Sequence, residues 1–250
     1  MRKIIYNSDN ILLDEGVFFS KGVFETILWD EKPIFFKEHI ERLKIGIKEL
    51  GLIDLEEEEL VEFLDKQDLR NNAVKITVTP LNIIITTRKV PYKEEDYIRG
   101  FSLTFSEVRR NSTSKLCYIK STGYIENILE KNKAKERGFD DVIFLNENGL
   151  VTETSCANIF LIKNDKLVTS RIDDGLLNGI IREWITKEFD VEIKRITLED
   201  LKGADEVFVT NSLVGIMPII SIDNYKCKKG KITEDIRCRY ENYRLQIGGL

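Results

Sequence analysis

Four short stretches of the 250-residue chain carry side chains whose types and spacing suit chemistry. In Leu116-Cys117-Tyr118-Ile119-Lys120-Ser121-Thr122-Gly123-Tyr124, Lys120 closes a short apolar run just ahead of a helix. A lysine at such an edge is either a snorkelling surface cation or a partly desolvated amine, whose lowered pKa suits imine formation. Val151-Thr152-Glu153-Thr154-Ser155-Cys156-Ala157-Asn158 sets an acid among hydroxyls at a strand end, which reads as a solvated turn or as groups converging on a pocket. Leu177-Asn178-Gly179-Ile180-Ile181-Arg182 reads as a helix start, and the unpaired backbone N–H groups there would suit a phosphate, as at any such start. Thr210-Asn211-Ser212-Leu213-Val214-Gly215-Ile216-Met217-Pro218 is a polar break between apolar strands, also the pattern of a simple turn. Periodicity decides none of the four.

Composition narrows the setting. Lys plus Arg number 38 against 43 Asp plus Glu, a net charge of −5. With no basic stripe, this balance argues against nucleic-acid binding. Cys117, Cys156, Cys227 and Cys238 show no Cys-x-x-Cys pairing and read as reduced thiols of a cytoplasmic protein. His39 is the only histidine, so a histidine-rich zinc site is not expected, and no metal is assigned. Met1-Arg2-Lys3 runs into polar residues rather than an apolar leader core. The longest uncharged run, Val207 to Ile222, is too short and too polar to cross a membrane.

The elements that must position the four stretches alternate between strand and helix. Gly22 to Asp30 reads as a strand, with Glu31-Lys32-Pro33 as a hairpin turn into Ile34-Phe35-Phe36. Ile40, Leu43, Ile47 and Leu50 predict a helix over 37–50, stopped by Gly51, and the acidic run Glu56 to Glu59 opens a second. Val74 to Thr79 and Ile83 to Thr87 read as strands around Pro80-Leu81-Asn82, followed by Phe101 to Phe105. After a polar stretch from Arg109 to Ser114, Tyr124 to Arg137 predicts a helix ended by Gly138. Strands follow at 141–145, 158–163, 166–168, 192–196, 205–209 and 216–222, with helices after Gly179 and over 233–245. This order predicts two lobes of mixed α/β (α+β) class, the second rich in strands.

Taken together and in order, the stretches resemble the class IV aminotransferases, the fold type IV pyridoxal-phosphate enzymes. That group includes branched-chain aminotransferase, D-amino acid aminotransferase and 4-amino-4-deoxychorismate lyase. The resemblance runs from Gly22-Val23-Phe24-Glu25-Thr26 through Glu38-His39-Ile40-Glu41-Arg42-Leu43 and Lys120 to Val151-Thr152-Glu153 with Asn158-Ile159-Phe160, then Asn178 to Arg182 and Asn211 to Pro218. It implies a two-lobed, D-amino acid aminotransferase-like fold, with a small N-terminal lobe at 1–108, a linker at 109–116 and a larger pyridoxal-phosphate lobe at 117–250. It also implies a homodimer acting on a small molecule. By the same resemblance, Lys120 holds the cofactor as a Schiff base and shuttles protons, and Glu153 pairs with the pyridine nitrogen. Arg42 meets the phosphate as a charge-assisted fork, joined by the Gly179-Ile180-Ile181 backbone and the Ser212 hydroxyl. Ser155 and Cys156 line the pocket floor, Phe24 and Asn211 border the substrate, and His39 supports packing.

Three details lean toward the lyase. Residue 181 is isoleucine where the aminotransferases usually carry threonine. Asn211-Ser212-Leu213 with Ile216-Met217-Pro218 resembles the lyase form of its turn. Phe24 stands where D-amino acid aminotransferases place a carboxylate-binding tyrosine. The implied reaction eliminates the enolpyruvyl group of aminodeoxychorismate as pyruvate, leaving 4-aminobenzoate, a folate precursor. The alternative is an aminotransferase for branched-chain L-amino acids or D-amino acids. A non-catalytic homologue would be expected to lack Lys120, Glu153 or Arg42, and all three are present. The chain departs from the pattern in two places. Phe19-Ser20-Lys21-Gly22 replaces the usual Gly-Asp-Gly run, and Pro80-Leu81-Asn82 stands where many members carry Arg-Gly and an arginine-bearing loop for substrate carboxylates. Lys21, Arg88 and Arg109 are left as candidate carboxylate partners.

Overall fold

The computed structural model describes residues 2–246, which divide into two compact units. One takes the chain up to Pro91, Ile119–Gly123 and the residues from Tyr243; the other takes Tyr92–Tyr118 and Tyr124–Asn242.

In the first unit, β1 (Lys3–Tyr6), β2 (Val23–Trp29), β3 (Asn72–Val78) and β4 (Asn82–Arg88) form a sheet of order β1-β4-β3-β2. Only β1 and β4 run parallel. Alternation sends Val23, Ile27, Trp29, Val74, Ile76 and Val78 to one face, where all are nearly solvent-free. The helices are α1 (Glu15–Phe19), α2 (Phe36–Glu49) and α3 (Glu57–Asp65). Ile40, Leu43 and Ile47 of α2 recur three and four residues apart and fill that core with Leu60 and Leu64 of α3. The hairpin expected at 30–36 is shorter than its sequence suggests. Trp29 and Pro33 make one bridge. Phe35 then takes a left-handed backbone, φ 56°, and α2 begins at Phe36. The positive φ ends the extended run, so Ile34-Phe35-Phe36 forms no strand.

The turn between β3 and β4 is tight, and a buried carboxylate organises it. Asp14 Oδ2 accepts hydrogen bonds from Thr79 Oγ1, Leu81 N–H (2.8 Å) and Asn82 Nδ2 (3.0 Å). Its Oδ1 caps α1 by accepting from the Gly16 and Val17 amides at 2.8 and 3.2 Å.

The second unit contains α4 (Glu94–Arg99), β5 (Phe101–Arg110), α5 (Ile125–Glu136), β6 (Asp141–Asn146), β7 (Val151–Thr154), β8 (Asn158–Lys163), β9 (Lys166–Ser170), α6 (Ile180–Glu188), β10 (Val191–Lys194), α7 (Leu198–Lys202), β11 (Glu206–Asn211), β12 (Gly215–Ile222) and β13 (Tyr225–Lys226). α8 (Lys231–Gln246) closes the described chain. β5 continues through Arg110, so residues 109–116 begin inside a strand and belong to this unit. The sheet order is β10-β9-β8-β11-β12-β5-β6-β7, and β7 also pairs β8. β8, β11, β12, β5, β6 and β7 thus close into a ring, which removes exposed edges and makes a barrel-like core. Leu103, Ile143, Ile159, Leu161, Val207, Val209, Met217 and Ile219 fill it.

Candidate active site

In the first unit, the segment bearing Lys120 is laid along the start of β2. Phe24 N–H donates to Lys120 O at 2.9 Å, Thr122 N–H donates to Gly22 O at 2.9 Å, and Val23 and Ser121 form a bridge. Gly22 lets the end of β3 approach the start of β2: a Cβ there would lie 2.9 Å from Val78 O. Lys120 Nζ sits 4.6 Å from the centroid of the Phe24 ring, and Lys75 Nζ sits 4.3 Å from the same centroid.

One residue further along β2, alternation turns Glu25 to the opposite face, where α2 packs. Glu25 and His39 are both fully buried. Arg42 forks onto Glu25 through Nε to Oε1 and Nη2 to Oε2, each 2.7 Å, and His39 Nδ1 lies 2.7 Å from Oε2. Burial alone would raise the Glu25 pKa. Arg42 and then His39 outweigh it and hold the carboxyl at about 2. Burial lowers the His39 pKa against the pull of Glu25, with Arg42 and Lys120 adding like charge. An ionised Glu25 only accepts, so Nδ1 carries the imidazole proton.

In the second unit, strand pairing lines up three groups. Glu153 on β7 pairs Asn158 on β8, and Asn158 pairs Thr210 on β11. Leu177 N–H donates to Glu153 Oε2 at 3.2 Å, and Arg110 Nη2 approaches Oε1 at 3.8 Å. Asn158 Nδ2 donates to Leu177 O at 2.8 Å, tying this row to the start of α6. Gly179 is the N-cap of α6 and offers no side chain to it, so the amides of Ile180 and Ile181 open the helix uncapped by it. A Cβ on Gly179 would lie 2.1 Å from Asn158 Oδ1. Ser212 lies in the β11–β12 turn, which Asn211 shapes by accepting from the Leu213 and Val214 amides at 2.9 Å each. Asn211 Nδ2 also donates to Cys156 O at 3.2 Å. Tyr124 OH and Asn127 Nδ2 donate to Ser155 O at 2.8 and 2.6 Å, fixing the turn after β7. Burial, then the Asp141 charge, raises the Cys156 thiol, so it stays protonated beside Lys131 Nζ at 3.3 Å.

The structure thus gathers the expected residues into groups inside each unit: Lys120 with Phe24, and Arg42 with His39, in the first; Glu153, Gly179, Ile180 and Ile181, and Asn211 with Ser212, Ser155 and Cys156, in the second. Lys21 pairs with Glu15 at 2.7 Å, and Arg88 and Arg109 are exposed. Four participants were not singled out from sequence: Glu25, Lys75, Asn158 and Arg110. Glu25 had a signal, being the one charged residue in a mostly apolar strand. The others depend on cross-strand register.

The residues fit the pyridoxal phosphate that the resemblance implies. An amine, an acid for a ring nitrogen and helix-start amides are all present. Thr210 Oγ1 is buried without a hydrogen-bond partner among the described residues, and it pairs with Asn158, which itself touches the α6 start. Among the described residues, no group of three or more His, Cys, Asp or Glu side chains is placed to hold a metal ion, and no helix is long and apolar enough to cross a membrane.

Comparison with known proteins agrees on family and divides on substrate. A family model described as amino-transferase class IV matches residues 22–222. A D-alanine aminotransferase of Listeria monocytogenes is 34% identical, covering 87% of this chain and 84% of its own. An aminodeoxychorismate lyase of Bacillus subtilis is 29% identical, covering 91% and 87%. The solved branched-chain aminotransferase of Thermoproteus uzoniensis superposes with a TM-score of 0.84 at 26% identity, covering 96% and 91%.

Proposed function

The chain belongs to the class IV aminotransferase family, and from that premise we propose that it is a pyridoxal-phosphate-dependent 4-amino-4-deoxychorismate lyase, releasing pyruvate and leaving 4-aminobenzoate. The observation that carries the choice within the family is Ile181. It is buried in the first turn of α6, so it brings no hydroxyl to the position where the family's aminotransferases usually carry threonine. The Asn211-Ser212-Leu213 turn and the absence of a hydroxyl on Phe24 point the same way.

Pyridoxal 5'-phosphate, when bound, supplies an aldehyde for amines and a ring that draws electrons from the reacting carbon. Lys120 Nζ would be the amine that holds it and the base that takes the proton from the substrate ring. Loss of that proton with departure of the enolpyruvyl group makes the ring aromatic, so the elimination runs downhill. Glu153, its carboxylate oriented by the Leu177 amide, would pair with the ring nitrogen and keep it protonated. The Ile180 and Ile181 amides at the start of α6, with the Ser212 hydroxyl, would hold the phosphate. Arg42, forked onto Glu25 through Nε and Nη2, is the cation that the family pattern assigns to the phosphate.

A homodimer is part of the same reading. Phe18 and Phe19 are 63% and 79% exposed, an apolar surface that a second subunit would cover. Incubation of the cofactor-loaded protein with aminodeoxychorismate alone tests the activity. Pyruvate and 4-aminobenzoate formed without any 2-oxo acid support the lyase. Turnover of D-alanine or L-leucine that requires a 2-oxo acid, with aminodeoxychorismate left unchanged, overturns it.

A further inference from the structure

The sheet of the first unit has two unlike faces. One is the apolar core against α2. On the other, β2–β3 register sets Phe24 opposite Thr77 and Thr26 opposite Lys75, and β3–β4 register sets Ala73 opposite Arg88. That second face therefore carries Lys75 and Arg88 on adjacent strands, three threonines (Thr26, Thr77 and Thr86, the last directly opposite Lys75), and the Phe24 ring that Lys75 and Lys120 share. It carries no acid. Among the described residues, neither Lys75 nor Arg88 makes an ion pair. Cations crowded together without an anion repel one another, and an incoming carboxylate would offset that repulsion. Desolvation and the Arg88 charge hold the Lys75 pKa below the ordinary lysine range, in keeping with an ammonium that lacks an anion.

We propose that Lys75 is a specificity-determining residue that receives a carboxylate of the substrate beside Lys120, the Phe24 ring setting the distance between the two nitrogens. This explains how the chain dispenses with an arginine-bearing loop: the tight turn at Thr79–Leu81 has no room for one, and a cation already stands on the neighbouring strand. The inference rests on the functional reading above for the identity of the acid, but not for the presence of the cationic face. Arg88 lies further along the same face and serves the second carboxylate of a dicarboxylate substrate.

Chorismate is the probe, because it keeps both carboxylates but has no amine to condense with an aldehyde. Its binding to the cofactor-loaded protein is measured by titration calorimetry for wild type, Lys75→Met and Lys75→Arg, with KM and kcat for aminodeoxychorismate measured in parallel. A lost charge-assisted bond corresponds to roughly a tenfold to hundredfold weaker Kd. We expect that loss in Lys75→Met, a KM raised in the same proportion with kcat within about threefold, and recovery in Lys75→Arg. The thermal midpoint and the cofactor absorbance of Lys75→Met should match wild type. Equal chorismate binding by wild type and Lys75→Met, or none by wild type, overturns the inference. Lys75-dependent chorismate binding without pyruvate release supports the inference and overturns the lyase reading alone.

Discussion

Replacing Glu25 by glutamine tests the buried fork beneath the candidate site. In the folded protein its carboxyl sits at about 2, against an ordinary 4.5. At about 1.4 kcal/mol per pH unit, this corresponds to about 3 kcal/mol of folded-state preference for the ionised form. A second route gives a similar figure. Removing one partner of a buried pair costs about 3–5 kcal/mol, and Arg42 keeps 16% of its side chain in solvent, which favours the low end. The sign follows from the lowered pKa. The contribution is full above pH 4.5 and is lost as the pH falls from there through 2. Trp29 lies in the first unit and Trp184 in the second, so a Trp184→Phe background makes fluorescence report on the first unit. There, Glu25→Gln should lower the urea midpoint at pH 7 by roughly 1–2 M. The gap between wild type and variant should close as the pH drops below 4.5. A midpoint within 0.3 M of wild type (about half a kcal/mol at an ordinary denaturant slope), or a gap that does not narrow in acid, would refute the fork as a stabilising element.

Two further substitutions probe separate parts of the account. Gly179→Ala forces a Cβ to within 2.1 Å of Asn158 Oδ1, displacing either that side chain or the α6 start; we expect at least tenfold weaker cofactor binding by fluorescence titration, with an unchanged far-ultraviolet spectrum. Asp14→Ala removes the acceptor for the β3–β4 turn and the α1 cap. It should cost about 2–3 kcal/mol in chemical unfolding. Burial would raise the Asp14 carboxyl, but the bonds from Thr79, Leu81, Val17 and Gly16 hold it low, so this contribution is present at neutral pH and fades in acid.

Local signals made much of this protein legible from sequence. Ile40, Leu43 and Ile47 announced α2 because a helix records its buried face at fixed spacing. Gly179 before Ile180 marked the α6 start. Three short helices have no counterpart in the sequence reading although their caps are visible: Asp14 caps α1, Thr197 and Asp200 form a capping box for α7, and Asp96 caps α4 by accepting from the Lys93 amide at 2.9 Å. Their few residues give periodicity too little to work with. The Ile34–Phe36 segment looked like a strand because its residue types suit one, and a single left-handed Phe35 overrode that preference. The largest gap concerned register. Nothing near Lys75 in the chain reveals that it shares a ring with Lys120, because that meeting depends on β3 pairing with β2, with Thr26 opposite Lys75. Glu25 meets Arg42 for a similar reason, one residue facing α2 from the sheet and the other facing the sheet from α2.

The claim on which the account rests is that Lys120 Nζ carries the cofactor covalently. The direct measurement is borohydride reduction of the protein loaded with pyridoxal phosphate, followed by proteolysis and peptide mass spectrometry. One reduced pyridoxyl adduct is expected, on the peptide containing Lys120, and none in Lys120→Ala. An adduct on another lysine, Lys75 included, or no adduct at all, would contradict it.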